Sequence, residues 1–138
     1  MEVGFFTMPI HPLDKDYRKT LAEDREAFLL ADEIGFSEAY CGEHYTDAAE
    51  NITSSTVFIA SLAAATKKIR LGTGTVNLPN SHPAAVAGQI AMLDHMLDGR
   101  LNFGISPGLI PKLSLPSSIW SNIAIWPCLL YTSPSPRD

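Results

Sequence analysis

The sequence predicts an α/β protein built on a parallel sheet. Three observations carry that reading. Short apolar runs alternate with single amphipathic stretches. Their order is strand, helix, strand, helix, strand, helix, strand between residues 3 and 105. Glycine and proline punctuate the boundaries, at Pro9, Pro12, Gly35, Pro79, Pro83 and Gly99. Strands separated by one helix each pair in parallel, because the helix carries the chain back to the starting edge.

Each element has its own signal. Residues 3–8, Val-Gly-Phe-Phe-Thr-Met, read as a short buried strand that ends at Pro9 and Pro12. Residues 17–34 switch to helical spacing. Tyr17, Leu21, Phe28 and Ala31 fall near one face, and Lys19, Glu23, Glu26 and Glu33 fall elsewhere. Gly35 is the stop, with Phe36 as the hydrophobic closer. Residues 37–41 form the second strand, and Gly42-Glu43-His44-Tyr45-Thr46 leaves it as a loop. Ser54 or Ser55 caps a second helix expected to reach Lys67, with Val57, Ala60 and Ala64 on one face. Residues 69–76 read as the third strand, Ile69, Leu71 and Thr73 alternating against Arg70, Gly72 and Gly74. Pro83 suits the first turn of a third helix, Val86, Ile90, Leu93 and Leu97 give it a stripe, and Gly99 ends it. Residues 100–105 form the fourth strand.

The pattern stops after Gly108. Residues 109–127 mix Pro, Ser, Ile and Trp without a usable period and read as an aberrant segment, either out of frame or a variable loop. Residues 128–138, CLLYTSPSPRD, look like a translated sequencing adapter and are set aside from fold reasoning.

Composition narrows the function classes. The chain has 138 residues, 46% hydrophobic and 18% charged, the profile of a globular protein with a real core. A net charge of −5 with scattered basic residues argues against a nucleic-acid or anionic-membrane surface. Lys67, Lys68 and Arg70 are the exception and read as cations at a helix end. Two cysteines, Cys41 and Cys128, give neither a disulfide framework nor a metal spacing. The start lacks a basic n-region, and no apolar run approaches the ~20 residues of a membrane span. A cytoplasmic location is the expectation, and Asn51-Ile52-Thr53 then has no glycosylation meaning.

Ligands of parallel α/β sheets bind beyond the carboxyl ends of the strands. His44 stands there, after the second strand. It reads either as a proton donor and acceptor near neutral pH or as a loop histidine bonded to a neighbour. Glu43 reads as a solvated loop acid, with orientation of the imidazole or shaping of the pocket as the alternative. His11, His82 and His95 receive no role, and no metal site is implied. Gly72-Thr73-Gly74-Thr75 allows close backbone approach but lacks the third glycine of a dinucleotide fingerprint. Gly104-Ile105-Ser106-Pro107-Gly108 matches the hydrolase nucleophile elbow in letters only. Pro107 has no N–H to lend to an oxyanion hole.

Taken in order, Gly35-Phe36, Gly42-Glu43-His44, RLGTGTVNLPNSHPA at residues 70–84 and LDHMLDGRLNFGISPG at residues 93–108 resemble the luciferase-like flavin monooxygenases. The resemblance implies the N-terminal half of a (β/α)8 barrel, truncated after the fourth strand and occupying residues 1–108. Barrels of this type run to ~250 residues. It implies reduced FMN as cofactor, with a deazaflavin as the variant choice. O₂ and a small organic substrate are the reactants, and a separate flavin reductase is the source of reduced cofactor. A homodimer of the full-length protein is also implied. In residue terms it implies His44 as the acid/base or hydrogen-bonding group. Gly74 and Thr75 correspond to a non-prolyl cis peptide beneath the flavin, and Ser106 lies beside it. Phe6 and Met8 fall on the substrate side, core packing being an equal reading for Phe6. The phosphate-binding residues of relatives lie in later strands, so the chain as written is expected to bind flavin poorly and to be inactive. A non-catalytic flavin-binding relative and an inert truncated product are the competing readings.

Overall fold

The computed structural model describes residues 2–45, 47–106 and 130–131. The readings of Pro107, of residues 109–127 and of the adapter-like stretch lie outside the described residues, apart from Leu130 and Tyr131.

The elements follow the expected alternation. They are β1 (Gly4–Thr7), α1 (Tyr17–Ile34), β2 (Glu38–Cys41), α2 (Ser55–Leu62), β3 (Arg70–Thr73), β4 (Val76–Asn77), a 3-10 turn (Leu78–Asn80), α3 (Pro83–Met96), β5 (Leu101–Ser106) and β6 (Leu130–Tyr131). β1, β2, β3 and β5 pair in that spatial order, all parallel, with Phe6 opposite Tyr40, Tyr40 opposite Gly72 and Gly72 opposite Asn102. The run expected as one strand over residues 69–76 is broken. β3 ends at Thr73, and β4 then resumes parallel pairing with β5, Val76 opposite Ile105 and Asn77 opposite Ser106. One more residue lies on the β3–β4 side than on β5. Thr73 fills the gap: its hydroxyl donates to Gly104 O at 2.8 Å and accepts from Gly104 N at 2.9 Å. β6 pairs antiparallel with β5, where the sequence offered no element.

All three helices pack on one face. Phe28 and Ala31 of α1, Phe58, Ile59 and Leu62 of α2, and Leu93 of α3 with Leu97 just past its end share a cluster with Ala39, Cys41 and Leu71 of the strands. Phe5, Phe28 and Phe58 make successive edge-to-face contacts at 5.0 and 5.3 Å, worth ~1 kcal/mol each beyond their buried area. Residues alternating with these along the strands point to the other face. There Asn102 Nδ2 donates to Tyr40 Oη at 2.9 Å and to Glu38 Oε2 at 3.2 Å, and Tyr40 Oη donates to Glu38 Oε2 at 3.0 Å. No helix among the described residues is long and apolar enough to cross a membrane.

Several local expectations are corrected. β1 is not buried: Phe6 is 55% exposed, because only the Phe5 side of the strand meets a helix. α2 stops at Leu62 rather than Lys67, and Val57 is 69% exposed while Phe58, Ile59 and Leu62 face the core. The early stop has a tertiary cause. The Arg100 guanidinium donates to Thr66 O at 3.1 Å, to Ile69 O at 2.9 Å and to Ala63 O at 3.4 Å, which turns those carbonyls away from a helical ladder. Lys67 and Lys68 therefore do not sit at a helix end. Their backbone N–H groups, with that of Ile69, donate to the Asp32 carboxylate of α1 at 2.9, 2.9 and 2.7 Å. Asp16 accepts from Arg18 N and Lys19 N to start α1, and Gly35 ends it at φ +89°. His82, given no role from sequence, caps α3 by accepting from Ala84 N at 3.2 Å.

Asp32 sets a pH dependence. Burial acts to raise its pKa but is outweighed by the three N–H donors and the Arg100 charge, so the carboxyl lies below its ordinary value. A group lowered in the folded state stabilises above its unfolded pKa and loses that contribution as pH falls through the folded pKa. Asp32→Ala is expected to cost about 1 kcal/mol at neutral pH, measured by urea unfolding. The deficit should shrink below the usual carboxylate range. A deficit that is constant from neutral to acid pH would contradict this account.

Candidate active site

The carboxyl ends of the parallel strands gather at one rim, and the glycines there let side chains close over the backbone. Gly72 lies under the Tyr40 ring: a Cβ built on it would stand 2.2 Å from Tyr40 Cδ1. Gly74 lies beside Phe6, whose Cε2 would be 2.7 Å from such a Cβ, and Gly42 lies beside Met8, whose Cγ would be 2.8 Å away. Phe6 and Met8 thus lean over backbone at the tops of β2 and β3, half-exposed and facing the same side. The Gly74–Thr75 peptide is cis.

A polar edge continues the rim. Thr75 Oγ1 donates to Ser106 Oγ at 2.7 Å, and Ser106 Oγ donates to Asn77 Oδ1 at 3.3 Å. Asn77 leads on to Glu43, which is 6% exposed and not the solvated loop acid that its neighbours suggest. Glu43 Oε1 accepts from Asn77 N at 3.0 Å and Asn77 Nδ2 at 3.2 Å. Its Oε2 accepts from Ser55 N at 3.0 Å and Ser55 Oγ at 2.9 Å, so it also holds the first turn of α2. Four donors meet the needs of a carboxylate held away from water.

His44 follows directly. Its backbone N–H donates to Ile52 O at 3.1 Å, and its Nδ1 pairs with Glu50 Oε2. The side chains of His44 and Glu50 are 28% and 14% exposed, so the pair is partly shielded. The neighbourhood also reaches other groups. Burial, with the Glu43 and Asp24 charges, pushes the Cys41 thiol up to about 12, and burial with the Glu43 charge raises Tyr45.

The structure therefore brings Gly74, Thr75 and Ser106 together, sets Phe6 against Gly74 and Met8 against Gly42, and places His44 on the adjoining loop. Glu50 and Asn77 were missed in the sequence, where neither stands in a recognisable spacing. The one hint was their position in loops that leave the carboxyl ends of strands. As a set, the rim offers an apolar pair packed over glycine backbone, two linked hydroxyls and, on the adjoining loop, an imidazole. Such a surface suits a flat heteroaromatic ring with a polar edge.

The profile of the luciferase-like monooxygenases matches residues 1–112. The chain is 42% identical over 109 residues to 4-hydroxyprotoasukamycin monooxygenase of Streptomyces nodosus subsp. asukaensis, covering 79% of this chain and 29% of that protein. It is 38% identical over 108 residues to limonene 1,2-monooxygenase of Rhodococcus erythropolis, covering 78% and 28%. Among solved structures it resembles a type II Baeyer-Villiger monooxygenase, the oxygenating constituent of 3,6-diketocamphane monooxygenase from Pseudomonas putida, in complex with FMN. That match has a TM-score of 0.75 at 29% identity and covers 88% of this chain and 32% of the other. The chain spans about 30% of the length of the relatives it matches.

Two outcomes test the packing of this rim. Cys41 should resist iodoacetamide at pH 8 in the folded protein and react only on unfolding, as read by mass spectrometry of its peptide. Alkylation at the unfolded rate would contradict its burial. Gly104→Ala puts a Cβ 2.4 Å from Thr73 O, a backbone atom, and should cost 1–3 kcal/mol, on the order of other overpacked sites. Gly88→Ala meets nothing within 4 Å inside α3 and should stabilise by roughly 0.5–1 kcal/mol. Thermal melts that rank the two the other way would overturn the contact argument.

Proposed function

The chain belongs to the luciferase-like monooxygenase family, and from that premise we propose that the full-length protein is a flavin-dependent monooxygenase that uses reduced FMN and O₂ to oxygenate a small organic substrate. The observation that supports this reading is the placement of Phe6 against Gly74, Met8 against Gly42 and Thr75 against Ser106 at the carboxyl ends of parallel strands, with His44 on the loop after β2. The FMN complex of the similar diketocamphane oxygenase supports FMN as the cofactor. Its description as an oxygenating constituent supports a separate reductase as the supplier of reduced cofactor. The same reading makes residues 1–108 part of a barrel, followed by an aberrant segment at 109–127 and an adapter-like stretch at 128–138; the family match over residues 1–112 supports its first part. On this reading the 138-residue chain by itself is inactive.

The residues fit the cofactor. A ring seated at the rim would meet the Phe6 ring, which already covers Gly74, and the linked Thr75 and Ser106 hydroxyls would be partners for its polar edge. Reduced flavin, when bound, supplies the electrons that activate O₂. The remaining work falls to the protein. Phe6 and Met8 cover the reacting side and keep water from it. Thr75 and Ser106, each tied to the other, hold the ring in one orientation. His44 carries a proton at Nε2 to or from the reacting group, with Glu50 fixing the imidazole through Nδ1.

His44→Ala in the full-length protein should lower oxygenation by roughly 10²–10⁴-fold while leaving flavin affinity within a few-fold. Unchanged turnover would remove His44 from the chemistry, and a cofactor spectrum typical of a deazaflavin would overturn FMN. Sequencing the source DNA across the codons for residues 103–138 tests the domain reading. A frame that runs on past Gly108 into further strand and helix repeats supports it, and a native stop near Asp138 overturns it.

A further inference from the structure

We propose that Glu43 is a positioning residue for the cofactor platform, acting through Asn77 on Ser106 and Thr75 rather than through its neighbour His44. The proposal rests on the flavin reading above for its functional consequence and on geometry for the link itself. Glu43 divides its two oxygens between two targets. Oε2 takes both donors of Ser55 at the start of α2, and Oε1 takes both nitrogens of Asn77 in β4. The Asn77 amide is thereby oriented with its Oδ1 toward Ser106 Oγ, at 3.3 Å, while its Nδ2 is also held by Glu43 O at 3.1 Å. Ser106 Oγ in turn accepts from Thr75 Oγ1 at 2.7 Å. The chain of contacts is continuous from the α2 N-terminus to the residue that follows Gly74. It bypasses the His44 imidazole, whose partner is Glu50.

The chemistry of the carboxylate is specific to this task. Every group aimed at Glu43 is a donor, so the site needs two acceptor oxygens. A glutamine supplies one oxygen and one NH₂. Whichever way it is turned, the NH₂ faces either the Ser55 donors or the Asn77 donors. An aspartate is one methylene short and cannot span from Ser55 to Asn77. Freed from Glu43, the Asn77 amide can rotate, and Ser106 and Thr75 lose the reference that fixes their hydroxyls.

The test uses a full-length protein carrying residues 1–106 of this chain, with Glu43→Gln, Asn77→Ala and Ser55→Ala variants. It has two readouts: hydrogen exchange of the residue 74–77 amides without cofactor, and FMN binding followed by absorbance and fluorescence. Glu43→Gln and Asn77→Ala should each raise exchange at residues 74–77 and weaken FMN binding by about tenfold, the size of one lost hydrogen bond at a shielded site. The double variant should be little worse than either single. Ser55→Ala removes one of the two donors on Oε2 but keeps the Ser55 N–H bond, and should raise exchange at residues 74–77 less than Glu43→Gln does. Native exchange at residues 74–77 in Glu43→Gln or Asn77→Ala overturns the link, as does strict additivity in the double variant. If Glu43→Gln fails to fold, Asn77→Ala decides alone. A wild type that binds no flavin would refute the flavin reading, while the exchange data still decide the Glu43 link.

Discussion

A parallel strand cannot be followed by its neighbour until the chain has been carried back along the sheet. In this protein α1, α2 and α3 all make that return over the same face, because their apolar stripes meet one cluster around Phe28, Ile59, Leu62 and Leu71. Everything else follows from that one-sided return. The strands' carboxyl ends collect at a single rim. The opposite face is released from the need to be apolar and carries Glu38, Tyr40 and Asn102 in one hydrogen-bonded group. Charged side chains then fasten the backbone at both ends of the sheet. Asp32 collects N–H groups and Arg100 collects carbonyls, both ahead of β3, and Glu43 does the corresponding work at the carboxyl rim.

Much of the fold was legible because its signals are local. The α1 bounds follow from an apolar face that ends at Gly35, and α3 from Pro83 and the Val86 to Leu97 stripe. The misreadings share one cause, partners distant in sequence. Ala63 to Lys68 is good helix-forming sequence, yet Arg100 and Asp32 compete for its backbone groups from more than thirty residues away. Glu43 sits in a polar loop and looks solvated, and only Ser55 and Asn77 reveal it as buried. The rim itself was legible in part. His44 stands at a strand end that periodicity locates, and Gly74, Thr75 and Ser106 were expected from the family resemblance, whereas Glu50 and Asn77 acquire meaning only through the partners the fold gives them.

The two acids of the rim illustrate how similar side chains serve different ends. Glu43 accepts four hydrogen bonds from neutral donors and is spoken for on both oxygens. It is an anchor, and its field falls on neighbours such as Cys41 and Tyr45, whose anionic forms it opposes. Glu50 faces a single titratable partner, the His44 imidazole. A carboxylate in that position orients the imidazole, so it bears on the ring rather than on the sheet.

The extra residue between Gly72 and Val76 has a consequence for side-chain phase. Along an unbroken strand every second residue shares a face, so Val76 would follow Gly72 and Gly74 onto the rim and Asn77 would turn toward the helices. The inserted residue reverses the parity. Val76 pairs with Ile105 and is buried, and Asn77 pairs with Ser106 and reaches the polar edge. The spacer thus behaves like a half-step in a two-stroke cycle, and what it fixes is length. A substitution at Thr73 or Thr75 alters one contact. A one-residue deletion there would exchange inside for outside at every later position of the strand, burying an amide and baring a valine in a single event.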